Sequence, residues 1–289
     1  MTSGEKIIKL KTYQGEDRVI HAEDKRKELA DIRATKPKFL AYSGIPSLDK
    51  TTEGFRKGQL VVVSGPPKNG KTALCQTITK RMALDKQRTL WFSYELTLDE
   101  LFQKFPKFDK DWMDFFVPRV IDSGNLQWVE DRIIEAKHKY GIEAVFIDHL
   151  DFLKDPEVAR VNQNMSSYIG LIVQRVKRIA VEQELVIFLM THLRKNNWTS
   201  NQLPSSEELR DTGQIAQLAD LVLMVVRRRN DKKLYDENKA MVGVMENRHN
   251  GKTAFVDLLM VEKEFIEEII SKEEKEQREA EATAGSGLW

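Results

Sequence analysis

The clearest signal along the chain is a series of short, unbroken apolar runs separated by segments of helical period. Gln59–Ser64 (QLVVVS) is such a run, and others follow at Leu90–Ser93, Ala144–Asp148, Leu185–Thr191, Leu221–Val226 and Met241–Met245. A run that is apolar at every position, rather than at alternate ones, is the pattern of a strand buried on both faces. Between the runs, Leu126, Val129, Ile133 and Ala136 share one helical face, as do Ile169, Ile172, Val176, Ile179 and Ala180. Strands alternating with helices in this way predict an α/β fold: a mostly parallel twisted sheet with helices on both faces.

The two ends read differently. Up to about residue 42 the chain is charged and sparse in apolar groups, and Ala22–Ala34 reads as a polar helix that Lys36-Pro37 would end. A helix of this kind is either solvated or docked on another subunit, and the sequence leaves both open. At the other end, Glu267–Glu281 carries seven acids against three bases and reads as a helix fraying into a tail, with flexible Gly285-Ser286-Gly287 and Trp289 after it. The expected division is an arm over 1–42, a main domain over 43–262 and an acidic tail over 263–289.

Composition narrows this further. A length of 289 residues suits one large α/β domain and is tight for two. The net charge of +1 makes no bulk electrostatic case for nucleic acid, so any basic binding surface must be local. The single cysteine, Cys75, excludes an internal disulfide and a thiolate zinc site. Met1–Lys11 lacks the apolar run of a signal peptide and no stretch has the length of a membrane span, so a cytoplasmic protein without a membrane partner is expected.

The chemistry enters at Gly65-Pro66-Pro67-Lys68-Asn69-Gly70-Lys71-Thr72, which fits G-x-x-x-x-G-K-T directly after an apolar strand and before a helix. In that context the backbone N–H groups of the loop wrap phosphates and the helix adds its positive end. Lys71 is expected to reach the β- and γ-phosphates, and the Thr72 hydroxyl to hold Mg²⁺, so the chain is expected to bind and hydrolyse ATP or a relative. Asp148 ends an apolar strand, the place where open α/β sheets bind ligands, and is a candidate for the same Mg²⁺. Glu95 follows the strand Leu90–Ser93 and is the best-placed group to activate water. It is also an ordinary acidic residue before a helix start, since Thr97 and Glu100 read as a capping box. His192, after Leu185–Thr191, is either a γ-phosphate sensor or a structural histidine.

Several segments together resemble a family, the RecA-fold motor of hexameric replicative helicases of the DnaB and phage primase-helicase types. Ile45-Pro46-Ser47-Leu48-Asp49 through Gly54 and Gly58 resembles its entry into the first strand, Ser93-Tyr94-Glu95-Leu96 the stretch with its catalytic glutamate, and Met190-Thr191-His192-Leu193-Arg194 its polar sensor. Leu209–Leu223 (LRDTGQIAQLADLVL) is similar to its late motif almost position by position, and Glu246-Asn247-Arg248-His249-Asn250-Gly251 resembles the hairpin with its arginine finger. The likeness covers about residues 43–260 and departs where the family carries a lysine two positions before the finger; Glu246 stands here instead. The family's primase or primase-docking domain is not matched by the arm before Ser43.

The resemblance implies a RecA-like P-loop core assembled as a ring of six, with ATP and Mg²⁺ between neighbours. Lys71, Thr72, Asp148, Glu95 and His192 would come from one subunit and Arg248 from the next. It implies 5′–3′ movement on single-stranded DNA threaded past two loops, about Lys154–Met165 and Arg194–Pro204. Lys154, Arg160, Asn162, Arg194 and Lys195 would track phosphates there and Trp198 would stack on a base, although each also suits a solvated loop. The acidic tail with its terminal Trp289 resembles tails through which phage replication proteins dock a partner, and a plain solvated tail fits equally. The single-domain size leans toward phage origin, and so toward the host cytoplasm. Two rivals remain: a RecA-type DNA-binding ATPase that does not unwind, and a scaffold that only binds nucleotide.

Overall fold

The structure, a computed structural model, describes residues 19–35, 40–105, 114–122, 124–155, 165–192, 213–229 and 235–269. The chain divides into two compact units, Met1–Phe39 and Leu40–Trp289. The first contains the expected polar helix, α1 (Ala22–Thr35), whose first turn is braced by an Arg26–Glu23 ion pair at 2.7 Å.

The second unit runs α2 (Pro46–Thr52), β1 (Leu60–Ser64), α3 (Lys71–Leu84), β2 (Thr89–Ser93), α4 (Leu98–Lys104), β3 (Phe115–Phe116), α5 (Leu126–Tyr140) and β4 (Ala144–Asp148). It continues with α6 (Met165–Glu182), β5 (Val186–Met190), α7 (Gly213–Leu218), β6 (Leu221–Arg229), β7 (Tyr235–Asn247), β8 (Ala254–Val261) and β9 (Glu264–Glu267). All nine strands form one sheet in the order β3-β2-β4-β5-β1-β6-β7-β8-β9. Neighbours from β3 through β6 pair in parallel, and β6 through β9 pair antiparallel.

The fully apolar runs have the predicted cause. Every residue of β1, β2, β4 and β5 is buried, because helices cover both faces. On one face Val129 and Ile133 of α5 and Val173, Val176 and Ile179 of α6 pack on Leu60, Val62, Phe92, Val145, Ile147 and Leu189. On the other, α3 contributes buried Leu74, Ile78 and Met82, and the strands contribute an aromatic stack. Trp91 lies on Phe146 at 4.8 Å, Phe146 on Phe188 at 4.5 Å, and the Trp91 indole N–H donates to Thr79 Oγ1 at 2.9 Å.

Two expectations need correction. The sheet does not end before residue 262: β9 pairs with β8 and lies beyond it. Glu267, read as the start of a helix, is the last residue of β9, where its carboxylate accepts from the Ser47 N–H at 2.8 Å. That bond ties the edge of the sheet to α2. The tail from residue 270 lies outside the described residues. Among the described residues no helix is long and apolar enough to cross a membrane.

Candidate active site

The G-x-x-x-x-G-K-T segment is the loop from β1 into α3, at the carboxyl end of the central parallel strands. Its two glycines are required for different reasons. Gly65 has φ +142°, and a Cβ there would stand 2.2 Å from the Val225 carbonyl oxygen, so no side chain fits between loop and β6. Gly70 caps α3 in the left-handed region at φ +97°. Asn69 holds the loop to β6 by accepting from the Arg227 N–H at 2.8 Å. Beside the loop is a cavity of about 530 Å³ that Lys71, Thr72, Gln76, Glu95, His192 and Lys263 help to line.

Lys71 is buried, and its ammonium donates to the Gly65 and Pro66 carbonyls, both at 3.0 Å. Burial brings its pKa down to about 8, against the pull of Asp148 and Glu95. An ammonium held by backbone carbonyls can exchange them for the oxygens of an anion. Thr72 Oγ1 donates to Asp148 Oδ2 at 2.8 Å. Burial pushes the Asp148 carboxyl up, and the Thr72 bond works against that. A hydroxyl and a carboxylate side by side form an oxygen-only pair that suits a hard ion taking its other ligands from water and phosphate.

Glu95, His149 and His192 converge at the ends of three adjacent strands, β2, β4 and β5. Glu95 Oε1 stands 2.9 Å from His192 Nε2 and 3.0 Å from His149 Nε2, and the two rings are perpendicular with centroids 4.3 Å apart. Burial alone would push the Glu95 carboxyl up. The His192 hydrogen bond and the charges of His149, His192 and Lys71 outweigh it and hold the group below its ordinary value. After Glu95 the chain enters α4 through the expected capping box. The Thr97 hydroxyl accepts from the Glu100 N–H at 3.3 Å, and the Glu100 carboxylate accepts from the Thr97 N–H at 2.9 Å.

Arg248 lies elsewhere. It follows β7 in the turn to β8, and β7 is antiparallel to β6 with Asn247 opposite Leu221. The phosphate loop touches β6 at Val225 instead. At about 3.3 Å per residue, Leu221 and Val225 are roughly 13 Å apart along the strand. The arginine therefore sits at the amino end of the parallel strands, opposite its own phosphate loop. It is held there: its N–H donates to the Asp220 carbonyl at 2.9 Å, and its exposed guanidinium to the Gln217 carbonyl. Asp220 anchors that end of the sheet, its Oδ2 accepting from the Leu60 N–H at 2.7 Å and from Lys177 at 2.5 Å.

Against known proteins, the DnaB-like helicase C terminal domain family matches residues 41–109 and 119–267. The chain belongs to this family. It is 24% identical over 281 residues to the replicative DNA helicase DnaB of Leifsonia xyli subsp. xyli (strain CTCB07), an alignment covering 85% of this chain and 60% of that relative. The chain spans about half the length of other curated relatives it matches. A solved ATPase domain superposes with a TM-score of 0.71 at 19% identity, covering 86% of this chain and 99% of that one. A solved DnaB-like replicative helicase, described with its interactions with primase, superposes with a TM-score of 0.64 at 19% identity, covering 91% of this chain and 71% of that one. The fold is that of these ATPase domains, the RecA-like arrangement expected from the sequence.

On this DnaB-like framework Gly65–Thr72, Glu95, Asp148 and His192 come together, and Arg248 stays apart. Lys154 ends a 3₁₀ turn (Leu150–Leu153), and its ammonium is paired with Asp151, so part of its charge is spent within the chain. Arg160, Asn162, Arg194, Lys195 and Trp198 lie outside the described residues. Glu246 is exposed on β7 opposite Val222, beside a register shift. Neither His149, which joins Glu95 and His192, nor the cavity-lining Lys263 is marked in the sequence. His149 stands beside Asp148 but carries no motif of its own, and Lys263 comes from the unanticipated β8–β9 turn.

Proposed function

We propose that the chain is the motor domain of a replicative DNA helicase that hydrolyses ATP at subunit interfaces and moves 5′–3′ along single-stranded DNA as a ring of six. The observation that carries this is the separation of Arg248 from Lys71 on one chain. The loop end of the sheet holds the Gly65–Thr72 loop, the Thr72–Asp148 oxygen pair and the Glu95 carboxylate, while the exposed arginine sits at the other end, available to a neighbour's nucleotide.

In this reading the β- and γ-phosphates lie along the loop N–H groups, and Lys71 turns from the Gly65 and Pro66 carbonyls to meet them. Thr72 and Asp148 hold Mg²⁺, which offsets phosphate charge when bound. Glu95 is ionised at neutral pH and accepts a hydrogen bond from the attacking water. A carboxylate this acidic orients water more than it stores the proton. His192 and His149 fix Glu95 from two sides. Arg248 of one subunit stabilises the charge on the phosphoryl group transferred in the next, an effect on the order of 10³–10⁵ in rate for such fingers.

DNA contact is proposed for the segments around Lys154–Met165 and Arg194–Pro204, and the helix Ala22–Thr35 is proposed as an arm that joins neighbouring subunits. The relative described with primase makes a primase the first protein partner to test. The deciding assay measures ATP turnover with and without single-stranded DNA, alongside unwinding of a fork with a 5′ tail. Stimulated turnover with unwinding supports the helicase. Stimulated turnover without unwinding points to a RecA-type ATPase that only binds DNA.

A further inference from the structure

We propose that Glu95, His149 and His192 form a binding site for a first-row transition-metal ion, Zn²⁺ foremost, separate from the Mg²⁺ pair at Thr72 and Asp148. Its occupation would remove Glu95 from water and stop turnover. The second half rests on the reading of Glu95 given above; the binding itself does not.

The geometry is close to what such an ion needs. The three donor atoms lie within 4.8 Å of one another, and Glu95 Oε1 is already 2.9 and 3.0 Å from the two Nε2 atoms. A tetrahedral ion with metal–ligand distances of about 2.0–2.2 Å separates its ligands by about 3.3–3.6 Å. The carboxylate would need to draw back by a few tenths of an ångström, and the two Nε2 atoms, within 4.8 Å of each other, to settle at the same spacing. The platform is also built in advance, because each ligand follows the carboxyl end of a different buried strand and β2, β4 and β5 are adjacent in the sheet. His149 is buried, its side chain 8% exposed, and packs on Phe152 with ring centroids 5.0 Å apart. Glu95 and His192 line the phosphate cavity, so a fourth ligand position opens toward water or a phosphate oxygen.

Ligand softness separates the two cation sites. Two imidazole nitrogens and one carboxylate favour Zn²⁺, Co²⁺ or Ni²⁺, whereas Mg²⁺ demands oxygen ligands and octahedral geometry. Among the described residues this is the one group of histidine, cysteine and carboxylate side chains with metal-binding spacing. Its outer shell is weak. The Nδ1 atoms of His149 and His192 are buried and have no hydrogen-bond partner among the described residues. Loss of such partners typically costs 10–100-fold in affinity, so the ion should exchange and EDTA should remove it. An exchangeable ion at this position suits inhibition by free metal rather than a permanent structural role.

The test titrates Co²⁺ into tag-free, EDTA-stripped full chain without nucleotide or Mg²⁺ and follows the visible absorption bands. The expected result is one equivalent bound, displaced by Zn²⁺ and not by excess Mg²⁺. Affinity should fall at least tenfold in both His149→Gln and His192→Gln, and stay unchanged in His249→Gln, a histidine away from the cluster. Thermal melts identify a variant that does not fold, and the other then decides. In turnover assays Zn²⁺ should inhibit the wild type over the range in which it displaces Co²⁺. No stoichiometric Co²⁺ spectrum, or one unchanged in both cluster variants, overturns the site. Binding without inhibition overturns only the second half. Mg²⁺-supported ATP turnover by the stripped protein reports separately on the reading of Glu95.

Discussion

The two ends of the parallel strands are built on opposite plans. At the carboxyl end, Lys71, Thr72, Glu95 and His192 line one cavity, with buried Asp148 behind Thr72 and each group bonded to a neighbour. At the amino end, Asp220 gathers β1, α6 and the β7–β8 turn into a rigid mount for one exposed arginine. In the proposed function the first end binds a nucleotide alone. The second has a positioned cation with no ion-pair partner among the described residues. On the proposed reading, the contrast teaches that one chain holds both halves of a site it cannot close on itself, which would make assembly a condition of activity.

The sharpest way to break this contrast is to remove the exposed half. Arg248→Ala should lower ATP turnover on the order of 10³–10⁵-fold while leaving nucleotide affinity nearly unchanged, as measured by steady-state hydrolysis beside equilibrium binding. An equal loss in affinity would show that the arginine holds the ground-state nucleotide rather than the transferring phosphoryl group. Glu95→Gln tests the enclosed half. It should reduce turnover on the order of 10²–10⁴-fold with binding retained.

A milder probe uses Lys71. Bound triphosphate requires the ammonium form, which the free protein loses as pH rises through about 8. Affinity for a fluorescent nucleotide should therefore be flat with respect to this group below pH 8. Above it, affinity should fall by up to about tenfold per unit. A flat profile to pH 9.5 would show that Lys71 stays charged despite its burial. The smallest effect is expected at the helix start that follows Glu95. Thr97→Ala removes one half of the capping box and should cost about 1 kcal/mol in denaturant unfolding.

How far the sequence foretold this arrangement depended on burial. Gln59–Ser64 and Ala144–Asp148 were legible because strands covered on both faces are apolar throughout. Ala254–Val261 was not, since it alternates buried and partly exposed positions and carries Asp257 among apolar residues. Glu264–Glu267 is a charged edge strand whose composition reads equally as the start of an acidic helix. Only its pairing with β8 and its bond to α2 decide the matter. The phosphate loop was plain because its chemistry is local to eight positions. The Glu95–His149–His192 cluster was hidden because it joins three strands far apart in sequence, and His149 follows Asp148 with nothing to mark it.

In the proposed function, a nucleotide held by Lys71 is completed by Arg248 of another copy. The most direct measurement mixes Arg248→Ala with wild-type chain before assembly, at fixed total protein, and follows ATP turnover against the mutant fraction. Turnover falling well below the straight line of dilution is the predicted result, because each altered subunit spoils a neighbour's site. A straight line, or a monomer that turns over ATP at full rate, would contradict the account.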